Sequence, residues 1–230
     1  WQKAVETGKK YTKKYPSNYY IGLKYAKALC ETGQYQPCIS LLSRMQVLPN
    51  EGSYAGRAVY REANLYRAME QLSHKNYKQV VKSVETSKEW PENLGVGKPY
   101  DNMIDNRLED YLEAKAAAGQ GDNRKTSALL AAVADYTISR SYFESGNLLS
   151  ALALRESGKV QEADHMVAAW STDFPENRVV QWCTAIYRGE KEKAVGMLQS
   201  RNDQTNTTPW EASFRDSNFD LIVRLFSTEQ

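Results

Sequence analysis

The sequence predicts an all-α protein, an α-solenoid in which antiparallel helical hairpins form a right-handed superhelix of about 11 to 12 helices. The first observation is a short motif containing proline and asparagine, which follows each of four stretches with helical apolar spacing. Proline cannot continue a helix, and the asparagine after it can cap the next one. The second observation is the spacing of the prolines, which lie 33, 42 and 84 residues apart. The last interval is twice 42, as expected if one copy of the repeat within it has lost its proline. The motifs are Tyr15-Pro16-Ser17-Asn18, Leu48-Pro49-Asn50, Trp90-Pro91-Glu92-Asn93 and Phe174-Pro175-Glu176-Asn177.

Residues 1–15 match the second helix of a hairpin. Ala4 precedes Pro16 by 12 residues, and Ala163 precedes Pro175 by the same 12. We therefore expect a half repeat at this end, and we expect the chain to be a piece of a longer one.

The first complete hairpin is predicted over residues 18–50. Apolar and small residues recur at three- and four-residue spacing up to Leu29, Gly33 interrupts the pattern, and a second helix begins near Tyr35 and ends at Pro49. Cys30 and Cys38 flank the turn. Because the chain has three cysteines and none of them has zinc-ligand spacing, we interpret these two as buried free thiols.

The second hairpin, residues 53–93, repeats the first at an offset of 42 residues. Its first helix is predicted over about Ser53 to Ser73, and a connector at 94–102 follows the complete hairpin. The matching pairs are Ala26 with Ala68, Tyr35 with Tyr77, Cys38 with Val80, Leu42 with Val84, and Pro49 with Pro91.

Three further hairpins are predicted at residues 103–138, 140–176 and 177–200, and a capping helix at 209–228. Each hairpin has a small residue in a helix and a glycine at the turn. The residues are Ala114, Gly121 and Leu130 in the first, Ala151, Gly158, Ala163 and Pro175 in the second, and Gly189, Ala194 and Leu198 in the third. The capping helix carries Phe214, Phe219, Leu221, Ile222, Leu225 and Phe226.

This pattern resembles the tetratricopeptide repeat, which has a small residue in each helix, a turn glycine with an aromatic residue two positions on, and a closing proline. The residues that match this pattern are Ala26, Gly33, Tyr35 and Pro49 in one hairpin, and Ala151, Gly158, Ala163 and Pro175 in another. The chain departs from the family in its longer period, in lacking the first-helix tryptophan, and in having Cys38 and Val80 at small positions. The resemblance implies that residues 1–230 form a single tetratricopeptide-like domain.

A second resemblance lies in the stretch Pro91-Glu92-Asn93-Leu94-Gly95-Val96-Gly97-Lys98-Pro99. It is similar to stretches in the helical-repeat tails of large bacterial proteins whose upstream part is β-rich and looks carbohydrate-active. This implies an alternative role as an accessory domain of a carbohydrate-processing enzyme. It also favours the cell envelope or periplasm over the cytoplasm. The compartment is otherwise not determined.

Gly95, Gly97 and Lys98 form a candidate contact loop. The stretch has glycines and a lysine, as a phosphate-binding loop does, but Pro99 follows the lysine and no strand precedes it. We therefore expect a connector that contacts a partner, and no nucleotide.

The chain offers no recognisable catalytic or metal-binding motif. Carboxylates at positions 101, 105, 109 and 113 would share one helix face, where a structural or solvated role is expected. His74 and His165 have no catalytic partner at motif spacing. We predict no cofactor, no metal and no catalysis, with an enzyme in its own right as a remote alternative.

The net charge of +2 is too small to indicate nucleic acid or a membrane surface, and no apolar run approaches a membrane span. The basic end could meet an anionic partner, although we expect a solvated face. Up to residue 27 it has one acid, Glu6, and seven lysines: Lys3, Lys9, Lys10, Lys13, Lys14, Lys24 and Lys27.

The predicted function is a non-catalytic protein–protein interaction scaffold, because the first helices of stacked hairpins line a surface that binds extended peptides or domains. The expected partner is a protein, a peptide or an upstream domain of the same chain, with no nucleic acid, no membrane insertion and a monomeric state. The candidate concave surface consists of Tyr20, Leu23, Lys27, Glu62, Leu65, Met69, Leu108, Tyr111, Lys115, Leu148 and Arg155.

Overall fold

The computed structural model describes residues 1–49, 54–138, 143–202, 216 and 218–228, and within these residues every regular element is helical. The predicted all-α class is confirmed. None of the helices in this described part is long and apolar enough to cross a membrane. The helices are α1 Gln2–Lys14, α2 Tyr19–Glu31, α3 Tyr35–Leu42, α4 Ala55–Ser73, α5 Tyr77–Ser87, α6 Arg107–Gly119, α7 Asn123–Ile138, α8 Gly146–Glu156, α9 Val160–Asp173, α10 Arg178–Tyr187, α11 Lys191–Asn202 and α12 Phe219–Thr228.

The chain divides into two compact units, Trp1–Asp105 with α1 to α5 (unit 1) and Asn106–Gln230 with α6 to α12 (unit 2). Helices that follow one another in sequence pack together from α1 to α5 in unit 1 and from α6 to α11 in unit 2. The first helices of successive hairpins also touch, α2 with α4 in unit 1, and α6 with α8 and α8 with α10 in unit 2. This is the packing of a solenoid-like helical repeat. The single domain and the hairpin bounds inferred from the sequence stay predictions.

One turn geometry recurs in five hairpins. In each, three residues join the two helices, and the middle residue has a left-handed backbone. The N–H of the third turn residue donates to a carbonyl in the last turn of the first helix, as from Gln34 to Leu29 and from Lys159 to Leu154. This is the Schellman motif, which suits glycine. The middle residues are Gly33, Lys75, Gly121, Gly158 and Gly189, and Lys75 is the one described non-glycine with positive φ.

Two of the predicted asparagine caps are confirmed. The side chain of Asn18 accepts from the Ile21 N–H at 3.2 Å, and that of Asn177 accepts from Val179 at 2.9 Å. Each bond satisfies a backbone donor that the first turn of a helix leaves open. Asn50 lies outside the described residues.

The prediction that the second helix continues to Pro49 is wrong, because α3 ends at Leu42. The Asn93 amide donates to the carbonyl oxygens of Leu42 at 2.9 Å and Met45 at 2.7 Å, and the Val47 N–H donates to the Asn93 carbonyl at 2.8 Å. These bonds satisfy carbonyls at the helix end and hold the following residues in a non-helical path. Asn93 therefore secures the end of α3 instead of capping a following helix.

Buried arginines link helices near the start of α4 and of α6. In unit 1, Arg57 donates to the Ser87 carbonyl at 2.7 Å and lies 4.5 Å from the ring of Trp90. In unit 2, Arg107 donates to the Thr137 hydroxyl at 2.7 Å and lies 4.5 Å from the ring of Tyr136. A buried guanidinium needs such acceptors to offset its loss of water.

Arg107 also reaches the next hairpin. It donates to Asn147 at 2.6 Å and forms an ion pair with Glu144 at 2.8 Å. Gly146 makes this possible, since a Cβ there would lie 2.6 Å from the guanidinium carbon. The network therefore ties α6 to the start of α8.

Two predicted helices begin later than the sequence indicates. The row of four carboxylates does not lie on one helix, because α6 begins at Arg107 and Asp101 belongs to a short 3₁₀ turn, Asp101–Met103. Glu109 and Glu113, which are on α6, are buried, and Glu113 pairs with Lys125 at 2.8 Å, which fits the structural half of the expected role. The described part of the predicted capping helix begins at Phe219, and Phe214 lies outside the described residues.

Candidate interaction surface

All the residues of the predicted surface lie on the first helices of hairpins. Because first helices touch within each unit, these residues lie on adjacent helices. The residues are Tyr20, Leu23 and Lys27 on α2, Glu62, Leu65 and Met69 on α4, Leu108, Tyr111 and Lys115 on α6, and Leu148 and Arg155 on α8.

In unit 1 a charged bridge joins α2 to α4. The Lys27 ammonium lies 2.7 Å from each carboxylate oxygen of Glu62 and 2.7 Å from Glu31. Burial of Lys27 disfavours its charge, but the two carboxylates outweigh this effect, so the pKa of Lys27 is raised. We call Lys27, Glu31 and Glu62 the first-helix face of unit 1.

Beneath this face lie neutral polar groups. Burial and the neighbouring Glu62 carboxylate raise the pKa of Tyr66 above its usual range. A hydrogen bond with Cys38 and burial raise the pKa of Cys30. Both cysteines are free and buried, as predicted. Since the thiolate is the reactive form of cysteine, the raised pKa keeps the Cys30 thiol in its neutral, less reactive form.

Unit 2 has a related bridge between α6 and α8. Glu156 accepts from the Lys115 ammonium at 2.9 Å and from the Tyr111 hydroxyl at 2.7 Å. The Lys115 ammonium also lies 5.3 Å from the centre of the Tyr111 ring. We call Lys115, Arg155 and Glu156 the first-helix face of unit 2.

Arg155 connects this face to α10. It donates to the Tyr187 carbonyl at 2.8 Å and lies 4.7 Å from the centre of the same residue's ring. The Tyr187 hydroxyl in turn donates to Asp164 at 2.8 Å. Burial and this hydrogen bond raise the pKa of Tyr187 to about 12. Arg155 is exposed, so its remaining N–H groups can reach solvent or a partner.

The apolar members of the predicted surface lie mainly in the interior. These side chains fill the contacts between helices, which leaves the charged members to form the faces. The buried members are Leu65, Met69, Leu108, Tyr111 and Leu148. Leu23 is half-buried, whereas Tyr20 is 65% exposed and lines a different groove, described below.

The candidate loop is held by contacts within unit 1. Leu94 is fully buried, and Gly95 has a φ of 74°, with its missing Cβ position only 2.8 Å from the Val47 carbonyl oxygen. Gly95 is therefore needed for packing. Around Gly97 the space is open, and Lys98 forms an exposed ion pair with Asp101 at 2.7 Å.

Two surface depressions were not predicted from the sequence. In unit 1, α1 and α2 border an open groove of about 800 Å³, lined by Trp1, Lys3, Tyr11, Tyr20, Lys24 and Tyr25 among others. In unit 2, a pocket of about 340 Å³ has apolar walls from Leu152, Trp182 and Phe226 and cations from Arg155, Arg188 and Lys191. The exposed aromatics between lysines were the signal for the groove. The pocket had no such signal, because its walls come from four helices.

Within the described part of the chain, no group of three or more His, Cys, Asp or Glu side chains could hold a metal ion. No family model matches the chain, and neither a curated protein nor a solved structure gives a match.

Proposed function

We propose that this chain is a non-catalytic helical-repeat scaffold of the tetratricopeptide-like class, which binds a protein or peptide on its first-helix faces. The observation that carries the proposal is the pair of charged bridges, Lys27 with Glu62 and Lys115 with Glu156, each of which spans two neighbouring first helices. Rigid helices hold these charges at fixed positions on the surface, as recognition of an extended partner requires.

Small residues support the repeat class. Fully buried alanines lie in the first helices of four hairpins and let neighbouring helices approach closely. They are Ala26, Ala68, Ala114 and Ala151. Together with the recurrent Schellman turns, they fit the pattern of a small helix residue followed by a turn glycine.

The charges of the two faces suit a partner of mixed polarity. Lys115 and Glu156 are each about one-third exposed, at 33% and 31%, so a partner can reach both groups. Partly exposed pairs contribute little to stability, and they fix the position and register of a partner more than they add affinity.

A charge exchange tests the proposal. A displayed random-peptide library is selected on the parent protein, and binding of the selected peptides is measured on the double variant Lys115→Glu with Glu156→Lys, which keeps a pair but reverses its direction. We expect the peptides to lose affinity by at least about tenfold.

The matched control is the double variant Lys193→Glu with Glu190→Lys, which reverses an exposed pair at 2.7 Å in the same unit. It should leave binding unchanged. Failure to enrich any peptide, or equal binding to both double variants, would contradict the proposal. Circular dichroism of each variant shows that the fold is kept.

The accessory-domain alternative is a separate hypothesis about a larger carbohydrate-processing enzyme. It rests on the half repeat at residues 1–15 and on the stretch from Pro91 to Pro99. Packing within unit 1 accounts for much of that stretch, through Asn93, Leu94 and Gly95. The sequence that adjoins this chain in its gene tests the hypothesis directly. A β-rich sugar-active domain there would support it. The enzyme alternative would require turnover of a glycoside or ester.

A further inference from the structure

The pocket of about 340 Å³ in unit 2 is lined by residues of four helices. The proposed peptide-binding function does not account for it. A volume of this size suits a small organic molecule and is too small for a helix of a partner protein. The apolar part of the lining consists of Leu152 on α8, Trp182 and Ile186 on α10, Val195 and Leu198 on α11, and Phe226 on α12.

The pocket is present although α12 packs on α10. The ring centre of Trp182 lies 5.3 Å from that of Phe219 and 6.5 Å from that of Phe226, and both pairs meet edge to face. Phe219 is buried, and Phe226 is half-buried. Because α12 supplies part of the lining, the pocket lies among packed helices and is not the bare outer face of a single helix.

Every charged side chain in the lining is a cation. Arg155, Arg188 and Lys191 are exposed, and none of them forms an ion pair with a described carboxylate. Glu190 lies close by, and a hydrogen bond from Lys193 at 2.7 Å and the nearby Arg188 lower the pKa of its carboxyl. Three cations beside an apolar pocket favour an anionic ligand, because they raise its local concentration and fix its orientation.

A buried donor in the wall of the pocket lacks an acceptor. Trp182 is 1% exposed, and its indole N–H has no hydrogen-bond partner among the described residues. The indole group can only donate, and a buried donor that makes no hydrogen bond lowers stability. An oxygen atom on a ligand is a group that would satisfy it. The cations and this donor therefore indicate the same class of ligand.

We propose that this pocket binds a small carboxylate with an apolar body, such as a medium-chain fatty acid. The apolar body packs on Leu152, Trp182 and Phe226, and the carboxylate pairs with Arg188 and Lys191. A guanidinium group suits this role, since two of its N–H groups match the spacing of the two carboxylate oxygens.

This binding goes beyond the proposed peptide binding, and the two proposals can fail separately. Lys115 and Glu156, whose exchange tests the peptide binding, do not line the pocket. Arg155 belongs to both the pocket and the first-helix face of unit 2, so it is left unchanged in the variants below.

Isothermal titration calorimetry with three ligands of equal chain length tests the proposal. Octanoate carries a negative head group, octanol a neutral one and octylammonium a positive one. Octanoate should bind with one molecule per chain, at least about tenfold more tightly than either of the others. Its affinity should fall as the salt concentration rises, because ions screen the exposed cations.

Variants then locate the site. Arg188→Gln with Lys191→Gln should weaken octanoate binding by at least about fivefold and leave octanol binding unchanged. The matched control is Arg124→Gln with Lys159→Gln, which removes the same two charges from exposed positions of unit 2 outside the lining and should alter nothing. Circular dichroism shows whether each variant keeps its fold.

Two further substitutions test the wall of the pocket. Val195→Asp places a negative charge at a wall position that is 42% exposed, and it should abolish octanoate binding by repulsion. Trp182→Phe keeps an aromatic wall but removes the N–H, so it should weaken the binding of octanoate more than that of octanol.

Three outcomes would overturn the proposal. Equal affinity for octanoate and octanol would remove the role of the cations. Octanoate binding that survives Val195→Asp, or that the control variant weakens as much as the Arg188 and Lys191 variant does, would place the site elsewhere. A polypeptide that continues past Gln230 should bind octanoate as tightly, and loss of binding there would assign the pocket to that added segment.

Discussion

Arg57 in unit 1 and Arg107 in unit 2 stabilise helix packing in similar ways, with one difference. Each lies near the start of a first helix, 4.5 Å from an aromatic ring, and donates to a residue at the end of the following second helix. Arg107 additionally pairs with Glu144 and Asn147, which belong to the next hairpin. The comparison indicates that a buried arginine can link the two helices of one hairpin or also join the next hairpin. Which of these it does depends on the acceptor groups that the following segment places near the guanidinium.

The largest effect is expected for Arg107→Ala. The change removes the charged donor from the buried Thr137 hydroxyl and the Asn147 amide oxygen, and we expect a loss of roughly 3 to 5 kcal/mol in the free energy of unfolding. Arg57→Ala should cost less, roughly 1 to 3 kcal/mol. Urea unfolding followed by circular dichroism measures both.

Hydrogen exchange distinguishes the two variants by location. Arg107→Ala should speed amide exchange at the start of α8, which the arginine joins to α6, while Arg57→Ala should act on α4 and α5. Equal destabilisation by both, with no change in α8, would show that the link between hairpins carries no energy.

Alkaline titration compares one buried tyrosine from each unit. Burial and a hydrogen bond to a carboxylate raise the pKa of Tyr60, which contacts Glu89, and of Tyr187, which contacts Asp164, to about 12. Because these folded-state pKa values exceed the unfolded value of about 10, their stabilising contribution is full below pH 10 and is lost as the pH rises through about 12.

Tyrosinate absorbance measures the ionisation, and stability is measured over the same pH range. Tyr60→Phe and Tyr187→Phe should each reduce the high-pH loss of stability, since phenylalanine does not ionise. A parent protein in which all tyrosines ionise near pH 10 while folded would contradict the prediction.

A smaller difference is expected between the two charged bridges. Glu62 is 15% exposed and Glu156 is 31% exposed, so water screens the unit 1 bridge less. Glu62→Gln should lower the free energy of unfolding by roughly 1 kcal/mol, and Glu156→Gln by less than about 0.5 kcal/mol. Thermal unfolding of the two variants under one buffer gives the comparison, and a larger effect at Glu156 would reverse it.

The smallest effect concerns the hairpin turns. Lys75 occupies in unit 1 the left-handed position that Gly121 and Gly158 occupy in unit 2. Lys75→Gly should relieve backbone strain and stabilise the protein by roughly 0.5 kcal/mol, after the greater entropy that glycine has in the unfolded chain is subtracted.

Gly33→Ala provides the reciprocal test. No atom lies within 4 Å of the position that its Cβ would take, so its cost of about 1 kcal/mol would come from the backbone. Differential scanning calorimetry should therefore give shifts of opposite sign for the two variants. Shifts of the same sign would show that the left-handed backbone conformation does not determine how these two substitutions change thermal stability.

Local features of the fold were predictable from the sequence. The caps at Asn18 and Asn177 and the turn at Gly33 depend on residues within a few positions of one another. The end of α3 was not predictable in this way. It depends on Asn93, 51 residues beyond Leu42, and the sequence does not show which distant amide will reach a helix end.

The candidate surface was predictable only in part. The repeat pattern placed Lys27, Glu62, Lys115 and Arg155 on first helices, which is where they lie. It could not tell that Leu65 and Leu148 would be fully buried, because burial of a first-helix residue depends on how closely the next hairpin packs.

The sequence by itself determined the all-α class, the hairpin turns and the buried state of Cys30 and Cys38, since apolar periodicity, glycine and proline act over a few residues. Only the tertiary structure decided the partners of Arg57 and Arg107, the role of Asn93 and the open groove between α1 and α2. These features join atoms from residues far apart in sequence, and such pairs are specified by packing and charge compensation between elements instead of by any local pattern.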